Sequence, residues 1–136
     1  MELAEAQTFL SENECAVLTT WRRDGRIQMS PITVGLDDAG RAIISSRETA
    51  YKVRNIQRDP RVSLCAFTDD FVGPWVQIDG TAEVVKLPEA MELLVDYYRR
   101  IAGEHPNWDE YRQAMEQDRR VLIRITIESA GPQRQG

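Results

Sequence analysis

Two cysteines and one histidine in 136 residues leave little material for disulfide or metal chemistry. Cys15 and Cys65 belong to no CxxC pair and lie in apolar runs, the usual setting of reduced, buried thiols. A lone His105 removes histidine-rich zinc or iron sites, and no metal is expected. Positive charge is scarce as well. Seventeen Lys and Arg face 22 Asp and Glu, leaving −5 overall and a pI near 4.9. That balance argues against a broad basic surface and against nucleic acid as a partner. No apolar run approaches the roughly 18 residues of a membrane span, and residues 1–10 carry acidic groups early without a hydrophobic core of their own. Neither a membrane span nor a signal peptide is expected, and a cytoplasmic protein is. Six prolines, eight glycines, 42% hydrophobic and 29% charged residues make an ordinary globular composition. The length suits one domain, taken as residues 1–130 with a flexible tail at 131–136.

Periodicity then orders the elements. Residues 2–11 read as a short helix with Leu3, Ala6 and Leu10 on one side. Residues 15–20 form a buried strand, and Asp24-Gly25 turns the chain into a second strand over 27–34. Pro31 interrupts that strand and marks an edge, a bulge or an opening in the sheet. After a turn at 37–40 a third strand covers 41–46. Thr49 is positioned to cap a helix that ends at Asp59-Pro60. Strands follow over 62–67 and 75–85, the latter with Val76, Ile78, Ala82 and Val84 on one face. Pro88 opens a helix that Gly103 ends, and Asn107 with Glu110 forms a capping box for another. A last strand covers 121–128. The irregular spacing of the helices excludes a doubly wound sheet. The expected fold is mainly β with peripheral helices, a small, predominantly antiparallel barrel.

The sharpest charge contrast surrounds the short central helix. Between residues 47 and 61, Arg47, Lys52, Arg54, Arg58 and Arg61 oppose only Glu48 and Asp59, a local +3. Ser45, Ser46 and Arg47 lead from a strand towards a helix N-terminus, and Lys52 follows in its first turn. Free backbone N–H groups, two hydroxyls and two cations there suit a phosphate. A solvated charged helix explains the same residues. Gln28 and Ser30 share a strand face opposite Met29 and can either address a planar heterocycle near Pro31 or face solvent. Trp75 and Gln77 share another face, with ring contact and an interface as equal readings. His105, as the one imidazole, is a candidate for proton transfer, but a loop position is the simpler reading. Spacing assembles no nucleophilic triad, so no catalytic residue is assigned. If the chain is an enzyme, a bound cofactor is the economical source of its chemistry.

Several of these segments together resemble a known family. They are residues 15–20, the run Asp24-Gly25-Arg26-Ile27-Gln28-Met29-Ser30-Pro31, residues 52–62, residues 79–82, and the more distinctive stretches 98–115 and 118–122. In that order, and over almost the whole chain, they resemble the split-barrel proteins of the pyridoxamine 5'-phosphate oxidase-like superfamily, in particular the actinobacterial branch that uses the deazaflavin coenzyme F420. The resemblance implies an FMN-binding-like split β-barrel and a homodimer with cofactor sites at the subunit interface. It implies that the region of Ser45, Ser46, Arg47 and Lys52 holds the cofactor phosphate and that Gln28, Met29, Ser30 and Pro31 lie beside the tricyclic ring. Trp75 and Gln77 match a strand approaching the interface. Relatives that carry an arginine at the position of Ala50 differ from this chain, which has Arg47 nearby instead. The implied activity is hydride transfer between reduced deazaflavin and a small electron-poor organic acceptor. An FMN-dependent oxidoreductase and a non-catalytic F420 carrier are the alternatives, and Arg54 and Arg58 are candidate partners for the acidic tail of F420.

Overall fold

The computed structural model describes residues 1–132. Among them, four helices surround one seven-stranded antiparallel sheet. Helix α1 (Leu3–Glu12) precedes strands β1 (Cys15–Trp21), β2 (Ile27–Thr33), β3 (Gly35–Leu36) and β4 (Ala42–Arg47). Helix α2 (Tyr51–Arg58), β5 (Arg61–Phe67) and β6 (Trp75–Val85) follow, then α3 (Ala90–Ala102), α4 (Trp108–Gln117) and β7 (Arg120–Gly131). The strands lie in the order β2-β1-β5-β6-β7-β4-β3. The sheet curls until β2 approaches β4 without pairing to it, so the barrel is split along that line.

Alternation along each strand explains the curl. Leu18, Leu64, Ile78, Ile123 and Ile125 point to the inside and are at most 1% exposed. Each such side chain contributes about 1.5–3 kcal/mol relative to exposure. Ile43 and Leu122 point the opposite way, into a second cluster under α3 and α4 with Leu94 and Tyr111. These helices therefore cover the outer face of β4 and β7. The outer face of β2, β1, β5 and β6 receives no helix, and there Met29 is 61% exposed.

Two turns work as their residues suggest. Asp24 accepts a hydrogen bond from the Arg26 amide at 3.0 Å while Gly25 sits at φ 87°, a left-handed conformation that glycine adopts freely. Asn107 caps α4 by accepting from the Glu110 amide at 3.1 Å. Three local expectations change. Thr49 does not cap α2; Ala50 occupies the cap position and makes no side-chain hydrogen bond there. Cys65 is exposed on the outer face of β5 rather than buried, because its inward neighbours Leu64 and Ala66 take the core positions. Strand β3 had no sequence signal, being only two residues long. The last strand also outruns its expected end: Gly131 pairs opposite Gln77, and residues 133–136 of the expected tail lie outside the described residues.

Candidate functional site

The split between β2 and β4 holds a pocket of about 450 Å³. Pro31, Ile32 and Thr33 form its β2 lip, Ser45 comes from β4 and Lys52 from α2. Tyr97 and Tyr98 of α3, Tyr111 and Met115 of α4, and Arg120 of β7 complete the wall. Among the described residues, no carboxylate lines it.

Local structure fixes each group. Strand alternation puts Ser45 on the outward face with Ile43, while Ser46 turns inward and is 3% exposed. Lys52 lies in the first turn of α2, half-buried, and forms no ion pair among the described residues. Burial holds its ammonium below the ordinary lysine pKa, and the Arg120 charge lowers it further. The position of α2 is set by a buried polar chain. Arg58 donates to the Trp21 carbonyl at 2.7 Å and to Asn55 Oδ1 at 3.0 Å. Asn55 donates to Thr20 Oγ1 at 3.1 Å, and Thr20 donates to Gln28 Oε1 at 3.3 Å. Because Asn55 and Thr20 are buried, satisfying this chain anchors α2 to the β1–β2 hairpin.

Tyr97 spans the split. Its hydroxyl donates to the Thr33 carbonyl at 2.8 Å. Burial raises its pKa above the usual phenol value. Tyr111 donates to the Leu94 carbonyl at 2.8 Å and is pushed up to about 12, chiefly by burial. Tyr98 and Tyr111 join His105 and Trp108 in a four-ring cluster with centroids 5.0–5.8 Å apart. The Nδ1 of His105 accepts from the Asn107 amide at 2.9 Å. His105 thus belongs to the packing of α3 against α4.

The structure brings together only part of the set suggested by sequence. Pro31, Ser45 and Lys52 meet in the pocket. Gln28 and Ser30 are on the inward face of β2, with Gln28 engaged by Thr20. Ser30 Oγ is buried without a hydrogen-bond partner among the described residues. Met29 points outward. Arg47 is exposed and reaches Asp118 at 3.9 Å. Trp75 and Gln77 lie on the uncovered outer face of β6, where Gln77 donates to Asp79 Oδ1 at 3.1 Å. Arg58 is committed to the hairpin, whereas Arg54 remains exposed.

Sequence reading missed Arg120 and the three tyrosines. Their signal lay in the last strand and two late helices, more than 40 residues from Lys52. The alternation of Arg120, Leu122 and Arg124 in β7 carried a usable hint, since it places Arg120 on the same face as the apolar Leu122.

The fold recurs in known proteins. The conserved hypothetical protein Rv2991 of Mycobacterium tuberculosis is 26% identical, with a TM-score of 0.77 over 96% of this chain and 82% of that one. An F420 reductase is 19% identical, with a TM-score of 0.71 over 92% and 94% of the two chains. An FAD-binding protein from Mesorhizobium loti is 20% identical, with a TM-score of 0.66 over 96% and 92%. The likeness to the latter two is one of fold. The pyridoxamine 5'-phosphate oxidase family itself matches residues 3–133, from α1 past the last strand. With a match of that length on a curled antiparallel sheet, the chain belongs to the pyridoxamine 5'-phosphate oxidase family.

Proposed function

We propose that this chain is a coenzyme F420-dependent oxidoreductase that passes hydride between reduced deazaflavin and a small electron-poor organic acceptor. The observation that carries the reading is the convergence of Lys52 and Ser45 with the Pro31 lip in one pocket that contains cations, tyrosine rings and, among the described residues, no carboxylate. A phosphate fits the Lys52 end, where a half-buried ammonium lacks a counter-ion, and a flat ring fits along β2. When bound, F420 supplies two-electron hydride chemistry with little side reaction with oxygen.

The residues of the chain have separate tasks in this reading. Lys52 and Ser45 bind the phosphate, Pro31 flanks the ring, and Tyr97 ties the β2 lip to α3 through its bond to the Thr33 carbonyl. Tyr98 and Tyr111 exclude water from one wall. Tyr111 is a poor proton donor at neutral pH, given its raised pKa and its bond to Leu94. The proton therefore comes from solvent or from the acceptor side. The choice of F420 over FMN rests on the resemblance of residues 98–115 to F420 users, and exposed Arg54 offers a contact for the acidic tail. The protein works as a homodimer in this reading, with the outer face of β2, β1, β5 and β6 against a second copy. That face presents Ile27 at 44% and Met29 at 61% exposure, and it carries Trp75 and Gln77.

The test is fluorescence titration with F420 and FMN, followed by anaerobic oxidation of reduced F420 with quinone, enone and tetrapyrrole acceptors. Tighter F420 binding together with turnover is expected. Preference for FMN would move the chain to flavin chemistry, and tight F420 binding without turnover of any acceptor would make it a carrier.

A further inference from the structure

We infer that the basic tip of the β1–β2 hairpin docks into an acidic cavity at the opposite end of the same hairpin on a second copy, an end-to-end contact separate from the proposed face-to-face dimer. No residue of either surface lines the β2/β4 pocket, so this contact is independent of the cofactor reading.

The two surfaces stand at opposite ends of β1. Glu14 precedes its first residue and Arg22 follows its last, with seven residues between them, about 23 Å of strand. Residues 22–27 at the tip are all exposed. Arg22, Arg23 and Arg26 there oppose only Asp24, 3 − 1 = +2 on a chain of −5. Asp24 already serves Arg22 at 3.3 Å and the Arg26 amide at 3.0 Å. The side chains of Arg23 and Arg26 form no ion pair among the described residues. Arg58 donates to the Trp21 carbonyl and Arg61 lies 5.3 Å from the Trp21 ring centroid, so two more guanidinium groups stand behind the tip.

At the other end, a cavity of about 620 Å³ opens between the end of α1, the β3–β4 turn and α3. Glu12, Glu14, Asp37, Asp38 and Asp69 line it with Arg100, 1 − 5 = −4. Asp37 and Asp38 pair with Arg41 and Arg100, each at 2.9 Å. Glu12, Glu14 and Asp69 are exposed and form no ion pair among the described residues. Acidic charge alone would mark only a solvated surface. The occupant is selected by the apolar edge beside it: Phe71 and Val72, just beyond Asp69, are 81% and 73% exposed. Their loop is built rather than loose. The Thr68 hydroxyl and the Gly73 amide both donate to the Asp70 carbonyl, at 2.9 and 2.8 Å, and Phe71 sits edge-on to Phe67 at 6.0 Å.

An arginine side chain matches that combination. Its stem covers apolar surface, while its guanidinium forks onto a carboxylate or lies over a ring. The tip offers three arginines and no lysine. Because the two surfaces differ, each docked copy leaves one tip and one cavity open. Assembly therefore grows with concentration instead of stopping at a pair.

The experiment is sedimentation velocity of the full chain over a concentration series, at about 20 mM and about 300 mM salt. Wild type should grow beyond its closed unit at low salt and return to it at high salt. Arg23→Glu with Arg26→Glu takes the net charge to −5 − 4 = −9, and Glu12→Arg with Glu14→Arg takes it to −5 + 4 = −1. Each double variant alone should associate at least about tenfold more weakly than wild type, although their net charges move in opposite directions. An equimolar mixture of the two should recover growth, since each tip then meets a cavity of opposite sign. Met29→Glu, placed on the sheet face, should keep the salt-sensitive growth. If either charge reversal fails to fold by circular dichroism, the neutral pairs Arg23→Gln with Arg26→Gln and Glu12→Gln with Glu14→Gln decide, each weakening association. Wild-type mass that ignores concentration at low salt would overturn the inference, as would variants that associate like wild type or a mixture that does not recover. Growth abolished by Met29→Glu would assign it to the sheet face and overturn the end-to-end contact.

Discussion

In the proposed reading, Lys52 is the residue on which cofactor affinity turns. Its ammonium is half-buried beside Arg120, so replacing it takes away a charge-assisted contact but no core packing. Lys52→Ala is expected to weaken F420 binding by about 1.5–3 kcal/mol with the fold retained. Fluorescence titration together with circular dichroism of the variant checks this, and equal affinity in a folded variant would refute it. Tyr111 gives a pH signature. Its folded pKa of about 12 exceeds the roughly 10 of an unfolded tyrosine, so the unfolded chain loses its proton first as pH rises. Its contribution to stability is full below pH 10 and is lost between there and about pH 12. Melting curves from pH 9 to 12 should show a shallower decline for Tyr111→Phe than for wild type. At this scale the site was half legible. Pro31, Ser45 and Lys52 stood out because a proline in a strand and a cation at a helix start are local signals. Arg120 and the tyrosines did not, because their meeting depends on α3 and α4 folding back over β4 and β7. Arg47 misled for the opposite reason: it is near Lys52 in sequence but turned towards Asp118.

The elements themselves were largely written into the pattern of the chain. Strand β6 reads as 75–85 because alternation runs unbroken along it, and α4 starts where Asn107 caps it. What pattern could not foretell was the closeness of the β6–β7 pair. The register shifts between Asp79 and Gly80, and a Cβ on Gly80 would sit 2.2 Å from the Thr126 carbonyl oxygen. Backbone cannot retreat from such a contact without opening the ladder. Gly80→Ala should therefore destabilise the protein by about 1–3 kcal/mol, read from the midpoint of urea unfolding. Asn107→Ala should cost about 1 kcal/mol by freeing the Glu110 amide, measured in the same way. Helix α2 shows the limit of capping rules. It starts without a side-chain cap and is held instead by the Arg58–Asn55–Thr20–Gln28 chain, of which Arg58 and Gln28 looked like ligand or surface groups in isolation.

For the molecule as a whole, the proposed dimer rests on the uncovered outer sheet face. It bears exposed Ile27 and Met29 next to half-buried Val17 and Phe67, whereas the opposite outer face is sealed by α3 and α4. Met29→Glu would set charge on that surface, at its β2 side. It should shift the expected dimer to a monomer in light scattering, and a monomeric wild type would dismiss the expectation. Barrel architecture was legible early, since many short strands with irregular helices leave few ways to bury both sheet faces, and the split was what the family resemblance implied.

The open seam that makes room for a ligand also leaves β2 as a free border of the sheet, and a bare strand border can recruit foreign strands. Pro31 stands in the middle of that border and has no amide hydrogen to offer. The residue that shapes the mouth of the pocket thereby breaks the ladder an incoming chain would need. A variant that restores a donor there should be more prone to fibrous self-association than its parent.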